Sequence, residues 1–113
     1  MERNRAIPAD PMDFIRSCVR RRSVLWTYHV NMRMKGRSIS REIILASDSA
    51  YEIIESYTDD KYLPSYLVFA RTQTSVFLVL FAVDVAGDNV RVVTAYSPDP
   101  GQWSSDLKTR RRS

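Results

Sequence analysis

A chain of 113 residues, 44% hydrophobic and 27% charged, is long enough to bury one core unaided and too apolar to remain disordered as a whole. Its single cysteine, Cys18, excludes an internal disulfide and any cysteine cage for a metal within one chain. The longest apolar run, Val76 to Val83, falls well short of the roughly 20 residues that cross a bilayer. The polar, proline-containing N-terminus lacks the pattern of a signal peptide, so a soluble protein of a reducing compartment, the cytoplasm, is expected.

The net charge of +4 hides a division along the chain. Residues 1–41 carry ten Lys/Arg against three acids, residues 42–109 carry ten acids against four bases, and Arg110, Arg111 and Arg112 close the sequence. Fourteen of the seventeen cations are Arg, whose guanidinium forks onto phosphate. That balance favours an anionic partner, RNA first; a solvated basic face is the plainer alternative.

The expected organisation is a flexible N-terminus over residues 1–10, one domain over 11–108 and a flexible basic tail over 109–113. Asp10-Pro11 marks a helix start, and Phe14, Ile15, Cys18 and Val19 follow at helical spacing. Arg20-Arg21-Arg22 then falls at the negative end of the helix dipole, a placement that stabilises the helix whether or not anything binds there. Ser23 to Tyr28 alternates as a short strand. Helical pattern returns from His29 to Lys35 and ends at Gly36, and Ser40 is positioned to cap a further helix from Arg41 to about Ser47. Ile39 and Ile44 have the spacing of a hydrophobic staple around that cap.

Four strands are expected next, over Tyr51 to Tyr57, Tyr66 to Arg71, Ser75 to Val85 and Val90 to Ser97. The third scarcely alternates, which predicts a central strand covered on both faces. Pro98-Asp99-Pro100-Gly101 breaks the sheet, and Trp103 to Leu107 suggests a last helical turn. The fold class is α+β: N-terminal helices on one face of a four- to five-stranded, mainly antiparallel sheet.

The strand, the pair of short helices and the following meander form a layout that resembles the RelE/ParE toxin superfamily. His29-xxx-Arg33-Met34-xx-Arg37-Ser38-Ile39-Ser40, together with Val92-Val93-Thr94-Ala95-Tyr96-Ser97-Pro98-Asp99 and Trp103, resembles a family of small uncharacterised bacterial domains. That family is itself similar to the BrnT-type toxins of type II toxin–antitoxin pairs. The resemblance covers roughly residues 23–108. It implies a toxin-like endoribonuclease that works without a metal or other cofactor. The implied partners are RNA, including ribosome-bound message, a cognate antitoxin protein and a second copy of the chain, with no membrane. The alternative is a non-catalytic nucleic-acid- or protein-binding module of the same fold, with homo-oligomerisation through an edge strand and exposed aromatics a further reading. BrnT-like chains tend to carry Arg after the Ala of the last strand, where this one has Tyr96.

Cleavage of RNA by its own 2′-OH needs a base for that hydroxyl, cations for the phosphorane and an acid for the leaving oxygen. His29 has the ordinary pKa for acid or base, and Arg33 and Arg37 follow at i+4 and i+8 on one helix face. His29, Arg33, Arg37 and Tyr96 are therefore the candidate catalytic residues. Lys35, Arg41 and Arg71 are the candidate phosphate contacts. Each also has a structural reading: His29 as a backbone cap, Arg33 and Arg37 paired with Glu52, Glu55 or Asp59-Asp60, and Tyr96 packed in the core. Plain alternation along the last strand puts Thr94 and Tyr96 on one face and Arg91, Val93 and Ala95 on the other. Cys18, on the apolar face of the first helix, fits an inert buried thiol better than a nucleophile.

Overall fold

The computed structural model describes residues 7–27, 39–59, 62–72 and 76–97. Helix α1, Pro11–Arg20, begins where the Asp10 carboxylate accepts the Asp13 N–H at 3.1 Å, with Pro11 opening the first turn. It ends in a Schellman motif. The Ser23 N–H reaches back to the Cys18 carbonyl at 2.8 Å, the Arg22 N–H bonds the Val19 carbonyl at 3.1 Å, and Arg22 takes the left-handed φ of 62° that this closure requires.

Strand β1, Val24–Trp26, follows, shorter than the alternation of residues 23–28 predicts. Helix α2, Arg41–Ala46, starts where the Ser40 hydroxyl accepts the Ile43 N–H at 3.1 Å. Ile39 before the cap and Ile44 within the helix are both buried in the main core, in keeping with the staple. A 3₁₀ turn, Asp48–Ala50, leads into β2, Glu52–Tyr57, and then β3, Ser65–Arg71, β4, Val76–Asp84, and β5, Asn89–Tyr96. The predicted helix from His29 to Lys35 and the predicted turn over Trp103 to Leu107 lie outside the described residues.

These strands form one five-stranded sheet in the order β1-β5-β4-β3-β2. The last four make an antiparallel meander, and β1 adds to its edge parallel to β5, so the sheet is mixed and the class is α+β. Both described α-helices pack on one face, over Val68, Ala70, Phe77, Val79, Phe81, Val83, Val90 and Val92. The opposite face carries a smaller cluster of Leu67, Phe69 and Leu78. Central β4 contributes to both, which is why its sequence is apolar with little alternation. None of the described helices is long and apolar enough to cross a membrane.

The arginines of α1 fasten the helix to its neighbours. Arg16 donates Nε to the Asp48 carbonyl at 3.0 Å and Nη2 to the Tyr51 carbonyl at 2.9 Å, gripping the 3₁₀ turn. Arg20 pairs with the Asp48 carboxylate at 2.6 Å, and Arg21 forks onto Asp88 in the β4–β5 turn at 3.0 and 3.1 Å. The basic run is thus engaged in architecture at its described positions, as the dipole reading allows.

One strand departs from simple alternation. In β5, Leu80 faces Thr94 but the next β4 residue, Phe81, faces Val92, leaving Val93 as an extra residue in a β-bulge. Downstream residues are shifted by one. Arg91 therefore shares a face with Thr94 and Tyr96, on the side away from the helices, and not with Ala95 as uninterrupted alternation requires.

Candidate functional site

Cross-strand register places five residues in one row across the face opposite the helices: Leu25, Arg91, Ala82, Ser65 and Tyr57. The two central positions are small. On the same face of β4 and β3, the neighbouring positions hold Leu80 and Leu67, so Ala82 and Ser65 leave a hollow in an otherwise bulky surface. That hollow is a cleft of about 430 Å³ lined by Thr27, Tyr62, Leu63, Ser65, Ala82, Arg91 and Val93. A second cavity of about 280 Å³ adjoins it, sharing Tyr62, Leu63 and Arg91 and adding Asp84. The size and the mainly apolar lining with a few convergent polar groups match those of small-molecule sites.

Each wall is held from a different element. The bulge at Val93 turns the start of β5 so that Arg91 faces the cleft. Its Nη2 lies 3.4 Å from Asp84 Oδ2, with the Arg91 side chain 46% exposed and the Asp84 side chain 17%. This ion pair is long and occupies one edge of a five-donor fork. The other carboxylate oxygen of Asp84 accepts the Gly87 N–H at 2.8 Å, which fixes the pair to the turn. A Cβ on Gly87 would come within 2.6 Å of Asp84 Oδ2, so glycine is what lets the carboxylate sit there. On the far side, the Pro64 carbonyl accepts the Val83 N–H at 2.8 Å, pinning the segment that carries buried Leu63 and exposed Tyr62. Thr27 enters from the end of β1, where its N–H approaches the Val92 carbonyl at 3.5 Å.

The residues singled out from sequence divide into two groups. His29, Arg33, Lys35 and Arg37 lie outside the described residues. Tyr96, Arg71 and Arg41 are placed, but no described cavity gathers them. Tyr96 is half-buried against the Leu67, Phe69 and Leu78 cluster, closer to its packing reading than to an open catalytic position. Arg71 lies on the same face with β4 between them, about 10 Å away laterally. Its guanidinium sits 5.6 Å from the Phe69 ring centre, and it lines a separate groove with Ile43, Ala46 and Ser47 at α2. Arg41 stacks over Trp26 at 5.1 Å.

Arg91, Tyr62, Ser65 and Thr27 were not legible as a site from sequence. Nothing in the run around Arg91 announces a bulge, and the small pair Ala82 and Ser65 becomes a hollow only once β3 and β4 are in register. Among the described residues no three His, Cys, Asp or Glu gather as metal ligands. Cys18 is buried, and burial pushes its thiol pKa up against the opposing influence of Arg21, which keeps the thiol protonated and inert.

The chain matches no curated protein and no solved structure. A family model described as a domain of unknown function, DUF4258, matches residues 26–101, from the end of β1 past the last strand. That span is well over half of the sequence and includes the sheet meander and the cleft, and the chain therefore belongs to the DUF4258 family.

Proposed function

We propose that this domain acts on RNA as a metal-independent endoribonuclease of the RelE/ParE type, the toxin-like member of a type II pair. The observation that carries the reading is the bulge in β5. It lines up Arg91, Thr94 and Tyr96 on the sheet face that the described helices leave open, beside the end of β1, where the sequence runs on into the basic stretch from His29 to Arg41. A cationic, tyrosine-bearing sheet face suits a phosphate backbone with unstacked bases. In this reading His29 handles the 2′-OH proton, Arg33 and Arg37 meet the phosphorane charge, and Tyr96 donates to the leaving oxygen. Lys35, Arg41 and Arg71 hold flanking phosphates, and a cognate antitoxin or a second copy would cover the same surface.

The test is incubation of the purified chain with total RNA, with and without added ribosomes, across pH 6–8. Fragmentation lost in His29→Ala and reduced in Tyr96→Phe is expected, together with growth arrest on induced expression. Intact RNA in both arms overturns the nuclease reading. A non-catalytic binding module is the second reading, favoured by the separation of Arg91 and its cleft from half-buried Tyr96. Its mark is salt-sensitive retention of uncut RNA.

A further inference from the structure

The cleft around Arg91 lies at the end of the sheet away from Tyr96, and the nuclease reading, which counts Arg91 only as part of a cationic face, gives the cleft itself no role. Its chemistry is specific. One cation sits at the side, paired at 3.4 Å with Asp84 through a single guanidinium nitrogen. One aromatic ring, Tyr62, stands 73% exposed at the rim. The floor is Ala82 and Ser65, one wall is apolar through Leu63 and Val93, and Thr27 brings a hydroxyl. A ligand that satisfies all of these has a flat, largely apolar body to lie on the floor and against the tyrosine, and a compact anionic group to meet the arginine fork. An acidic peptide would leave the apolar floor uncovered, and a lipid tail would leave the arginine unanswered.

We infer that this cleft is a nucleotide site, in which Arg91 takes the phosphate and the planar base lies over Ala82 and Ser65 against Tyr62. The base contributes stacking, about as sequence-tolerant as any aromatic platform, and the phosphate contributes a charge-assisted fork. Asp84 then has a second role as a positioning residue. Anchored by the Gly87 N–H, it holds the guanidinium at the rim in the absence of ligand. The nucleotide can come from either of two sources, a free mononucleotide or one unit of a single strand, and the site's chemistry is the same for both. The inference goes beyond RNA cleavage and does not require it.

The experiment titrates the full-length chain with AMP and, separately, with a fluorescein-labelled eight-nucleotide single-stranded RNA, followed by calorimetry and anisotropy. It compares wild type with Arg91→Ala, Tyr62→Leu, Tyr62→Phe and Ala82→Leu, each checked by its melting curve. Arg91→Ala should weaken binding about tenfold or more. Tyr62→Leu should weaken it several-fold while Tyr62→Phe stays near wild type, since the ring and not the hydroxyl is used. Ala82→Leu, which fills the floor and leaves Arg91 in place, should abolish binding. Saturable AMP binding that the RNA does not displace assigns the free nucleotide; RNA binding with weak AMP binding assigns the strand. Wild type that binds neither probe, or variants that melt and bind like wild type, overturn the site. RNA cleavage measured on the same samples separates the two ideas. Variant-dependent AMP binding with RNA left uncut both with and without added ribosomes removes the nuclease reading alone, and cut RNA with unchanged binding in all variants removes the nucleotide site alone.

Discussion

Tyr51 joins three parts of the molecule through one side chain. Its hydroxyl donates to the Ile44 carbonyl in α2 at 2.5 Å, its ring packs on Phe81 of β4 with centroids 5.6 Å apart, and its own carbonyl accepts Arg16 of α1. Burial, helped by the nearby Asp48 charge, raises its pKa far above the ordinary value of about 10. The consequence for stability has a definite sign. Below about pH 10 the hydroxyl is protonated in folded and unfolded chains alike. Above it the unfolded chain ionises while the folded one does not, so stability falls as pH rises from 10 toward the folded value. Tyr51→Phe should cost about 1 kcal/mol at neutral pH by removing one of the two hydrogen bonds that the Ile44 carbonyl accepts, the other coming from the Ser47 N–H, and should flatten the alkaline decline. Urea titrations of both proteins at pH 7 and pH 10.5 check the two effects together. Arg16→Lys should also lose about 1 kcal/mol, because an ammonium cannot span the Asp48 and Tyr51 carbonyls with the fixed geometry of the guanidinium.

At the scale of elements, the end of α1 offers a substitution that should improve the fold. Arg22 occupies the left-handed position of the Schellman motif at φ 62°, a conformation that disfavours side chains and suits glycine. Its guanidinium returns a single part-buried bond, at 3.1 Å, to a Val19 carbonyl that already accepts the Arg22 N–H. Arg22→Gly should therefore raise stability by about 0.5–1 kcal/mol, read as a higher melting temperature with unchanged binding. The same scale shows what the sequence could disclose. Asp10 and Ser40 announced the starts of the two described α-helices because a capping side chain acts on the N–H groups three residues ahead, a purely local effect. The strands were legible through their apolar pattern, and the central place of β4 through the absence of one. The bulge was not, since Val92 and Val93 are identical in chemistry and only the partner strand decides which of them is extra. Of the last strand, the shared face of Thr94 and Tyr96 was legible from alternation, whereas the Arg91 cleft depends on register across β3, β4 and β5 at once.

At the scale of the whole molecule, the sheet is held unevenly. The meander from β2 to β5 is built from neighbours in sequence, but β1 joins it through three residues, pairing Val24 with distant Val90. Such a strand carries a large loop-closure cost for few hydrogen bonds. Native-state hydrogen exchange should show the β1–β5 amides opening at a free energy well below that of the β3–β4 amides, which report global unfolding. If both sets exchange together at the global value, β1 is integral to the cooperative core. Because Thr27 sits at the end of β1, this predicts that nucleotide binding slows exchange at that edge more than anywhere else in the sheet.

The bulge in β5 also gives the strand a parity. Its first half, with Val90 and Val92 inward, and its second half, with Ala95 inward, count inside and outside from opposite starting points, and Val93 is where the count changes. Point substitutions at either half can proceed independently. Deletion of one residue there restores a single count, which forces either Arg91 into the core or Ala95 out of it. Length changes in this strand are therefore tolerable only in pairs, and Val93 acts as the spacer that lets one strand serve a hydrophobic core and a charged surface in the same eight residues.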